Sequence, residues 1–192
     1  KSGTAVSKIK QLNDFLNHGN AREADRLIGE LSGEDLSDPE VLAEFRYQEG
    51  RRAYFDGDPK LAFDRFSAAS GLQPGSAKFY AAEVESAVAA NFGTTPRIPP
   101  GLLARADRFG SDEDVRFQLV RAFALEKDYA KAEEILGTLS GPSKLKAETL
   151  YHLIRDDWAS ALAVADRGLV ETVDPRAAKF LKILRLRALL NI

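Results

Sequence analysis

The sequence predicts an all-α protein, and three observations lead to that prediction. Apolar residues recur three or four positions apart along nearly the whole chain, as in the stripe formed by Val6, Ile9, Leu12 and Leu16. Strand-like alternation of apolar and polar residues is absent, and β-branched residues are sparse. A short motif of glycine, aspartate, alanine and a large apolar residue also recurs at a nearly fixed interval, which is typical of stacked helical hairpins.

Start and stop signals divide the chain into about eleven predicted helices. Asp38-Pro39, Asp58-Pro59 and Asp174-Pro175 share one start signal, because aspartate caps free N–H groups and proline suits the first helical position. Glycines near predicted helix ends are Gly71, Gly110 and Gly168. The predicted helices are 4–18, 21–31, 39–56, 59–71, 75–92, 99–109, 112–127, 129–139, 143–155, 157–170 and 174–190.

The repeat interval follows from the turn residues Asn20, Asp58, Asp128 and Asp157. The step of 70 positions between the second and the third equals two steps of 35, which predicts a degenerate turn near position 93. Prolines at 96, 99 and 100 enlarge that turn, so we expect 94–101 to be the most irregular internal connection. The step of 38 positions from Asn20 to Asp58 implies a long first linker. The step of 29 positions from Asp128 to Asp157 implies a shortened hairpin.

The clearest copy of the motif resembles the tetratricopeptide repeat family. Gly50, Ala62 and Ala69 stand where that family places small residues, and Phe66 is the large residue between them. The aromatic residue usual early in the first helix is replaced by arginine at positions 46 and 116. The resemblance implies a right-handed α-solenoid of about five hairpins plus a C-terminal capping helix, in one domain spanning 1–192. The hairpins would be 4–31, 39–72, 75–109, 112–139 and 143–170.

Composition excludes several classes of site. The net charge is −2 with both signs interleaved, so no basic face predicts nucleic-acid binding. The chain has no cysteine, which excludes disulfides and thiolate metal sites, and it has no apolar run long enough to insert into a membrane. It also has no methionine, even at position 1, as expected of a processed or excised segment.

We find no motif for catalysis, cofactor binding or metal binding. The two histidines, His18 and His152, lack carboxylates at metal-ligand spacing, and nucleophile elbows and phosphate-binding glycine loops are absent. Asp156-Asp157 is interpreted as the end of one helix and the cap of the next. Trp158 takes the place of Tyr129 in the neighbouring turn, so we expect it to pack between repeats.

The resemblance implies that the first helix of each hairpin lines a concave groove. The predicted partner-binding residues are Tyr47, Arg51, Tyr54, Phe117, Arg121 and Lys146, with Phe55, Tyr80, Glu83 and Asn91 on the same side. An alternative is that Phe55 and Phe117 belong to the core and that Arg51 is merely solvated. Family members that clamp a chaperone carboxylate use a Lys/Asn set where this chain has Tyr47 and Arg51, so that ligand is not supported.

The leading functional interpretation is a non-enzymatic scaffold that binds a protein or peptide segment. Two alternatives stay open: a regulatory or substrate-presenting arm of a larger enzyme, and a scaffold that self-associates through its repeat ends. The final helix is apolar and basic, and we expect Phe180, Ile183, Leu184 and Leu190 to pack on the preceding hairpin. Contact of this helix with a membrane surface or with a partner is the alternative.

Overall fold

The computed structural model describes residues 2–32, 36–91 and 98–192. Within those ranges the chain is all-α, as predicted: it contains eleven α-helices, one 3₁₀ helix and no strand. The Cα positions divide the chain into two compact units, Lys1–Ala90 and Asn91–Ile192.

The first unit contains helices α1 to α5, and the predicted boundaries are close to the observed ones. The bounds are α1 Ser2–Asn17, α2 Ala21–Ser32, α3 Pro39–Phe55, α4 Pro59–Leu72 and α5 Ala77–Asn91. The aspartate–proline starts of α3 and α4 are confirmed. The Asp38 carboxylate accepts from the Glu40 amide at 2.9 Å, and the Asp58 carboxylate accepts from the Leu61 amide at 3.0 Å.

The second unit contains the remaining helices. The bounds are α6 Pro100–Leu103, a 3₁₀ helix Ala106–Phe109, α7 Glu113–Leu125, α8 Tyr129–Gly137, α9 Gly141–Ile154, α10 Trp158–Glu171 and α11 Pro175–Leu189. The prediction of a single helix over 99–109 is therefore wrong, because α6 ends at Leu103 and a separate 3₁₀ helix follows. The amides of Arg105 and Arg108 donate to carbonyls three residues back, so the chain tightens into 3₁₀ geometry instead of continuing α6.

The loop predicted at 94–101 is only partly covered. Residues 92–97, including the proline at 96 and most of the expected degenerate turn, lie outside the described residues. Ile98 and Pro99 are non-helical, and α6 begins at Pro100.

Four turns between helices share one backbone geometry. In each turn the amide of the capping residue donates to the carbonyl five residues earlier, at 2.8–3.0 Å. The residue before each cap has positive φ, between 59° and 79°. The caps are Asn20, Asp58, Asp128 and Asp157, and the residues before them are Gly19, Gly57, Lys127 and Asp156. The recurrence read from the sequence is thus a recurrence of backbone conformation.

An alanine follows each of these caps by four positions, and all four alanines are 0% exposed. Their amides donate to the cap carbonyls at 3.0–3.1 Å, which closes the first helical turn. The alanines are Ala24, Ala62, Ala132 and Ala161. A larger side chain at these positions would meet the facing helix, because the two helices of a hairpin are closest next to the turn that joins them.

Two glycines mark further close approaches. A Cβ atom built on Gly50 of α3 would lie 2.6 Å from the ring of Phe66 on α4. One built on Gly168 of α10 would lie 2.8 Å from Leu181 on α11. No carbon–carbon contact is that short, so both pairs of helices are packed at a distance that only glycine allows.

The helix packing is repeat-like within each unit. In the first unit α1 packs on α2 and on α3, and α3 packs on α4. Aromatic contacts between Tyr47 and Phe79 join α3 to α5. In the second unit α7 packs on α8 and on α9, and α9 packs on α10 and on α11. Within each unit the first helices of successive hairpins therefore contact one another, and α10 also packs closely on α11. Trp158 packs among residues of α9, α10 and α11, as predicted.

The final helix buries a different stripe from the one predicted. Its buried residues are Ala177, Leu181, Leu184 and Ala188, all from one face. Only Leu184 of the predicted set is fully buried; Phe180 is partly buried. The prediction was wrong for Ile183 and Leu190, which are 58% and 77% exposed. Leucine and isoleucine occur on both sides of α11, so the sequence alone did not distinguish the packed side.

The first prediction concerns the approach of α3 to α4. Gly50→Ala should lower the free energy of unfolding by about 1–3 kcal/mol, because Phe66 is buried and must move to admit a methyl group. Gly29→Ala is the matched control: that position lies within α2 and has nothing within 4 Å, so the change should stabilise by about 0.5–1 kcal/mol. Urea unfolding followed by circular dichroism measures both changes. Equal effects would contradict the close approach.

The second prediction concerns the positive-φ residues. Lys127, in the α7–α8 turn, adopts φ 62°. The equivalent position of the α3–α4 turn is Gly57, with φ 79°. Lys127→Gly should raise stability by about 0.5–1 kcal/mol, and Gly57→Lys should lower it by a similar amount. Lys182→Gly, at an exposed position inside α11, should cost about 1 kcal/mol and serves as the control. Differential scanning calorimetry reports the three shifts, and a loss of stability on Lys127→Gly would exclude a shared turn geometry.

Candidate binding surfaces

The six predicted partner-binding residues divide equally between the two units. Tyr47, Arg51 and Tyr54 lie on α3, whereas Phe117 and Arg121 lie on α7 and Lys146 lies on α9. All six occupy the first helices of hairpins, and all six are half-buried.

The Tyr47 side chain is mainly a packing element. Its ring centroid lies 5.5 Å from that of Phe66 and 5.3 Å from that of Phe79, so it joins α3, α4 and α5. The Lys78 ammonium lies 4.1 Å from the Tyr47 ring centroid, on the remaining side. Tyr47 therefore holds α3, α4 and α5 together and does not project freely as a binding anchor.

Arg51 ties α3 to α1. Its guanidinium donates to the side-chain oxygens of Asn13 at 2.6 Å and Asn17 at 2.8 Å, and to Gln48 at 3.0 Å. The neighbouring Phe55 ring, 60% exposed, lies 5.7 Å from the guanidinium carbon. Because three of its hydrogen bonds are made within the chain, Arg51 stabilises the α1–α3 contact, a role that its sequence position did not predict.

The neighbouring Arg52 is a second link that sequence reasoning missed. It donates to both carboxylate oxygens of Asp25 on α2, at 2.7 and 3.1 Å, and also pairs with Asp56. These hydrogen bonds, that to Asp25 first, raise the pKa of the guanidinium above its ordinary value. Tyr54, by contrast, reaches α5, where its hydroxyl lies 3.5 Å from a carboxylate oxygen of Glu85.

A groove of about 580 Å³ lies in the first unit. Its walls come from α1 and α3, and Lys78 of α5 closes one end. The Lys78 ammonium bonds both carboxylate oxygens of Glu44, at 2.8 and 2.9 Å. The lining residues are Val6, Ile9, Lys10, Asn13, Asp14, Glu40, Val41, Glu44 and Lys78. The sequence placed Val6 and Ile9 on an apolar stripe but predicted none of these residues as a binding residue, since isolated charges at helical spacing carry no motif.

The second unit brings two aromatic and two cationic residues together across three helices. The Lys146 ammonium on α9 lies 5.6 Å from the Phe117 ring centroid on α7 and 6.0 Å from that of Phe180 on α11. The Arg121 guanidinium carbon lies 5.9 Å from the same Phe117 ring. We call Phe117, Arg121, Lys146 and Phe180 the cationic–aromatic cluster. The sequence predicted Phe117, Arg121 and Lys146 as partner-binding residues. It predicted Phe180 only as a packing residue.

The charge of Lys146 is not neutralised by a carboxylate within 98–192. Phe117 and Phe180 are partly buried against the core of α9 and α10, so their exposed ring faces are held in fixed positions. A cation fixed between two aromatic rings is suited to bind a carboxylate flanked by apolar groups.

A second polar cluster in this unit is internal to the fold. The buried Tyr151 hydroxyl donates to the Glu133 carboxylate at 2.5 Å and accepts from Arg155 at 2.6 Å. Burial, followed by the bond to Glu133, raises the pKa of Tyr151 to about 12. The Arg155 guanidinium carbon also lies 4.7 Å from the Tyr129 ring centroid, so the cluster ties α8 to α9.

Each histidine has one hydrogen-bond partner on or next to its own helix. The His18 Nδ1 lies 2.7 Å from the Asp14 carbonyl, and the His152 Nδ1 lies 3.2 Å from the Asp157 carboxylate. Asp157 also accepts hydrogen bonds from Ser160, which chiefly lower its pKa. Among the described residues no group of three or more potential ligands could hold a metal ion. No helix in those ranges is both long and apolar enough to cross a membrane.

Comparisons with known proteins give no assignment. No protein-family model matches the chain, and neither a curated protein nor a solved structure matches it. Function is therefore inferred from the geometry of the chain itself.

The third prediction concerns the titration of Tyr151. The neutral phenol is favoured in the folded state, so the unfolded chain releases this proton near the ordinary tyrosine pKa of about 10, whereas the folded chain holds it until about pH 12. The contribution of Tyr151 to stability is therefore complete below pH 10 and is lost as the pH rises through 12.

Absorbance titration of the phenolate measures this shift. Tyr151→Phe should remove a phenol that titrates near pH 12, and Glu133→Gln should lower the pKa of Tyr151. A pKa of Tyr151 that stays the same in the Glu133→Gln variant would show that the Glu133 contact does not form in solution.

Proposed function

We propose that this chain is a non-enzymatic interaction scaffold, a right-handed α-solenoid of tetratricopeptide-like hairpins that binds a peptide segment of a partner protein. The observation that carries the proposal is the placement of the groove and the cationic–aromatic cluster. In each unit the side chains concerned come from the first helices of successive hairpins: α1, α3 and α5 in one, and α7, α9 and α11 in the other.

The repeat geometry supports the solenoid part of the proposal. Four turns have the same hydrogen bond, the same positive-φ position and the same buried alanine. The aspartate–proline starts at Asp38 and Asp174 are 136 positions apart, which is four times 34. A period of 34 residues is that of tetratricopeptide repeats. Stacked repeats of this kind present extended surfaces built from equivalent helices.

The chemistry of the cluster supports a peptide ligand. Lys146 and Arg121 supply positive charge, and the rings of Phe117 and Phe180 supply fixed apolar faces. An extended segment with an acidic residue beside an apolar one would satisfy both features. Aromatic and arginine side chains of this kind contribute much of the binding energy at many interfaces.

The fourth prediction tests this surface. Peptides selected from a displayed random library against the intact chain should be enriched in Asp or Glu next to a large apolar residue. Lys146→Glu should weaken their binding at least tenfold, because it places a negative charge between the two rings. Thermal stability should change little, since Lys146 is half-buried and makes no ion pair with the carboxylates described in 98–192.

Lys60→Glu is the matched control, because it makes the same charge change at an exposed position on α4, a second helix. Isothermal titration calorimetry gives the affinity of each variant for the same peptide. Equal affinities of the wild type and the Lys146→Glu variant would move the binding site away from the cluster.

A further inference from the structure

Helix α11 has a second apolar face on the side opposite its packed one. Ile183 and Leu186 are each 58% exposed, and Leu190 is 77% exposed. These residues follow one another at spacings of three and four, so they form one stripe along the helix. Lys179 and Lys182 lie on the same exposed side. Exposed apolar residues of soluble proteins are usually scattered singly. A continuous apolar stripe on the solvent side of a surface helix therefore indicates a contact surface.

Helix α11 begins in the same way as α3, and this correspondence supplies the reason for the stripe. Both helices have the same cap: Asp38 has φ −75° and ψ 116°, and Asp174 has φ −75° and ψ 117°. The proline after each aspartate is the first helical residue. Each position of α3 therefore has an equivalent in α11, 136 positions later.

The packed faces of the two helices agree under this alignment. In α3, Val41 and Phe45 pack against the preceding hairpin, and the buried Gln48 follows Phe45 one turn later along the helix. Their equivalents in α11 are Ala177, Leu181 and Leu184, which are buried on that helix. The alignment taken from the caps thus reproduces the observed packing of α11.

The outer face of α11 corresponds to the face of α3 that α4 covers. Tyr47 and Tyr54 pack in one cluster with Ala62 and Phe66 of α4, and Gly50 meets the Phe66 ring. The α11 equivalents of Tyr47, Tyr54 and Gly50 are Ile183, Leu190 and Leu186. The exposed stripe of α11 is therefore positioned as a helix-binding face.

The charge of α11 specifies the helix that would fit. The helix carries five cations and no acidic residue. One cation, Arg185, pairs with Asp166 of α10. Packing two copies of α11 together would juxtapose like charges, which opposes self-association through this face. A helix with acidic residues beside its apolar stripe is complementary.

We propose that the outer face of α11 docks an amphipathic, acidic helix of a partner protein, laid antiparallel as α4 lies on α3. Where α3 has Gly50, α11 has Leu186, so the partner helix presents a small residue where α4 has Phe66. Of the proposed peptide site only Phe180 lies on α11, and it is not part of the stripe of Ile183, Leu186 and Leu190; variants of Lys146 on α9 therefore leave the outer face of α11 intact.

The fifth prediction uses a helical probe derived from this chain. The probe has the sequence of 58–73 with Phe66→Ala, Lys60→Glu and Arg65→Glu. A hydrocarbon staple joins positions 64 and 68, so the probe is helical before it binds. Fluorescence anisotropy with the intact chain should show binding at least tenfold tighter than that of the same probe with lysine at its acidic positions.

Two pairs of variants locate the binding. Leu186→Ala with Leu190→Ala should weaken binding of the acidic probe at least tenfold, whereas Val170→Ala with Val173→Ala should leave it unchanged. Val170 and Val173 are exposed near the α10–α11 connection and away from the stripe. Truncating them therefore also removes exposed apolar surface, but outside the proposed docking face. Lys179→Glu with Lys182→Glu should reverse the preference between the acidic and the basic probe.

Three outcomes would overturn the proposal. The first is that the acidic probe does not bind at millimolar concentration, or binds both pairs of variants equally. The second is self-association of the chain, seen by sedimentation and abolished by Leu186→Glu, which would assign the face to a second copy. The third is binding to phosphatidylserine vesicles that depends on Leu186 and Leu190, without binding of the probe, which would assign the face to a membrane surface.

Discussion

The close approach of paired helices next to their connecting turn is the constraint on which the rest of this structure depends. A residue with positive φ ends one helix, and an asparagine or aspartate begins the next. The fourth residue after that cap is a fully buried alanine in all four turns. Because the hairpin closes so tightly there, its larger side chains interdigitate further along, as Phe66 does over Gly50.

Within each unit the first helices of successive hairpins contact one another, the second helices α2 and α10 add contacts to the next hairpin, and polar links at these contacts stabilise the fold. Arg51 joins α3 to α1 through two asparagines, and Arg52 joins α3 to α2 through Asp25. Exposed ion pairs of this kind contribute about 0–1 kcal/mol each. The buried apolar clusters supply most of the stability, and the arginines add polar links between the same helices.

The same geometry relates the two surfaces for which we propose binding functions. The cationic–aromatic cluster lies where three first helices follow one another, so its rings and cations come from residues far apart in sequence. The outer face of α11 lies where a second helix packs in the α3–α4 hairpin. One surface therefore suits an extended segment, and the other suits a helix.

The sequence by itself determined the all-α class, the Asp-Pro helix starts and the recurring turns, because each depends on a few neighbouring residues and on backbone chemistry. It also identified Gly50 and Ala62 as close contacts, since a small residue recurring at one place in a helical repeat indicates that a neighbouring helix lies against it. Only the tertiary structure decided the partners of Arg51, the meeting of Lys146 with Phe180, and the packed side of α11. Those depend on helices brought together from distant parts of the chain, and a helix apolar on both sides gives no local signal of which side is buried.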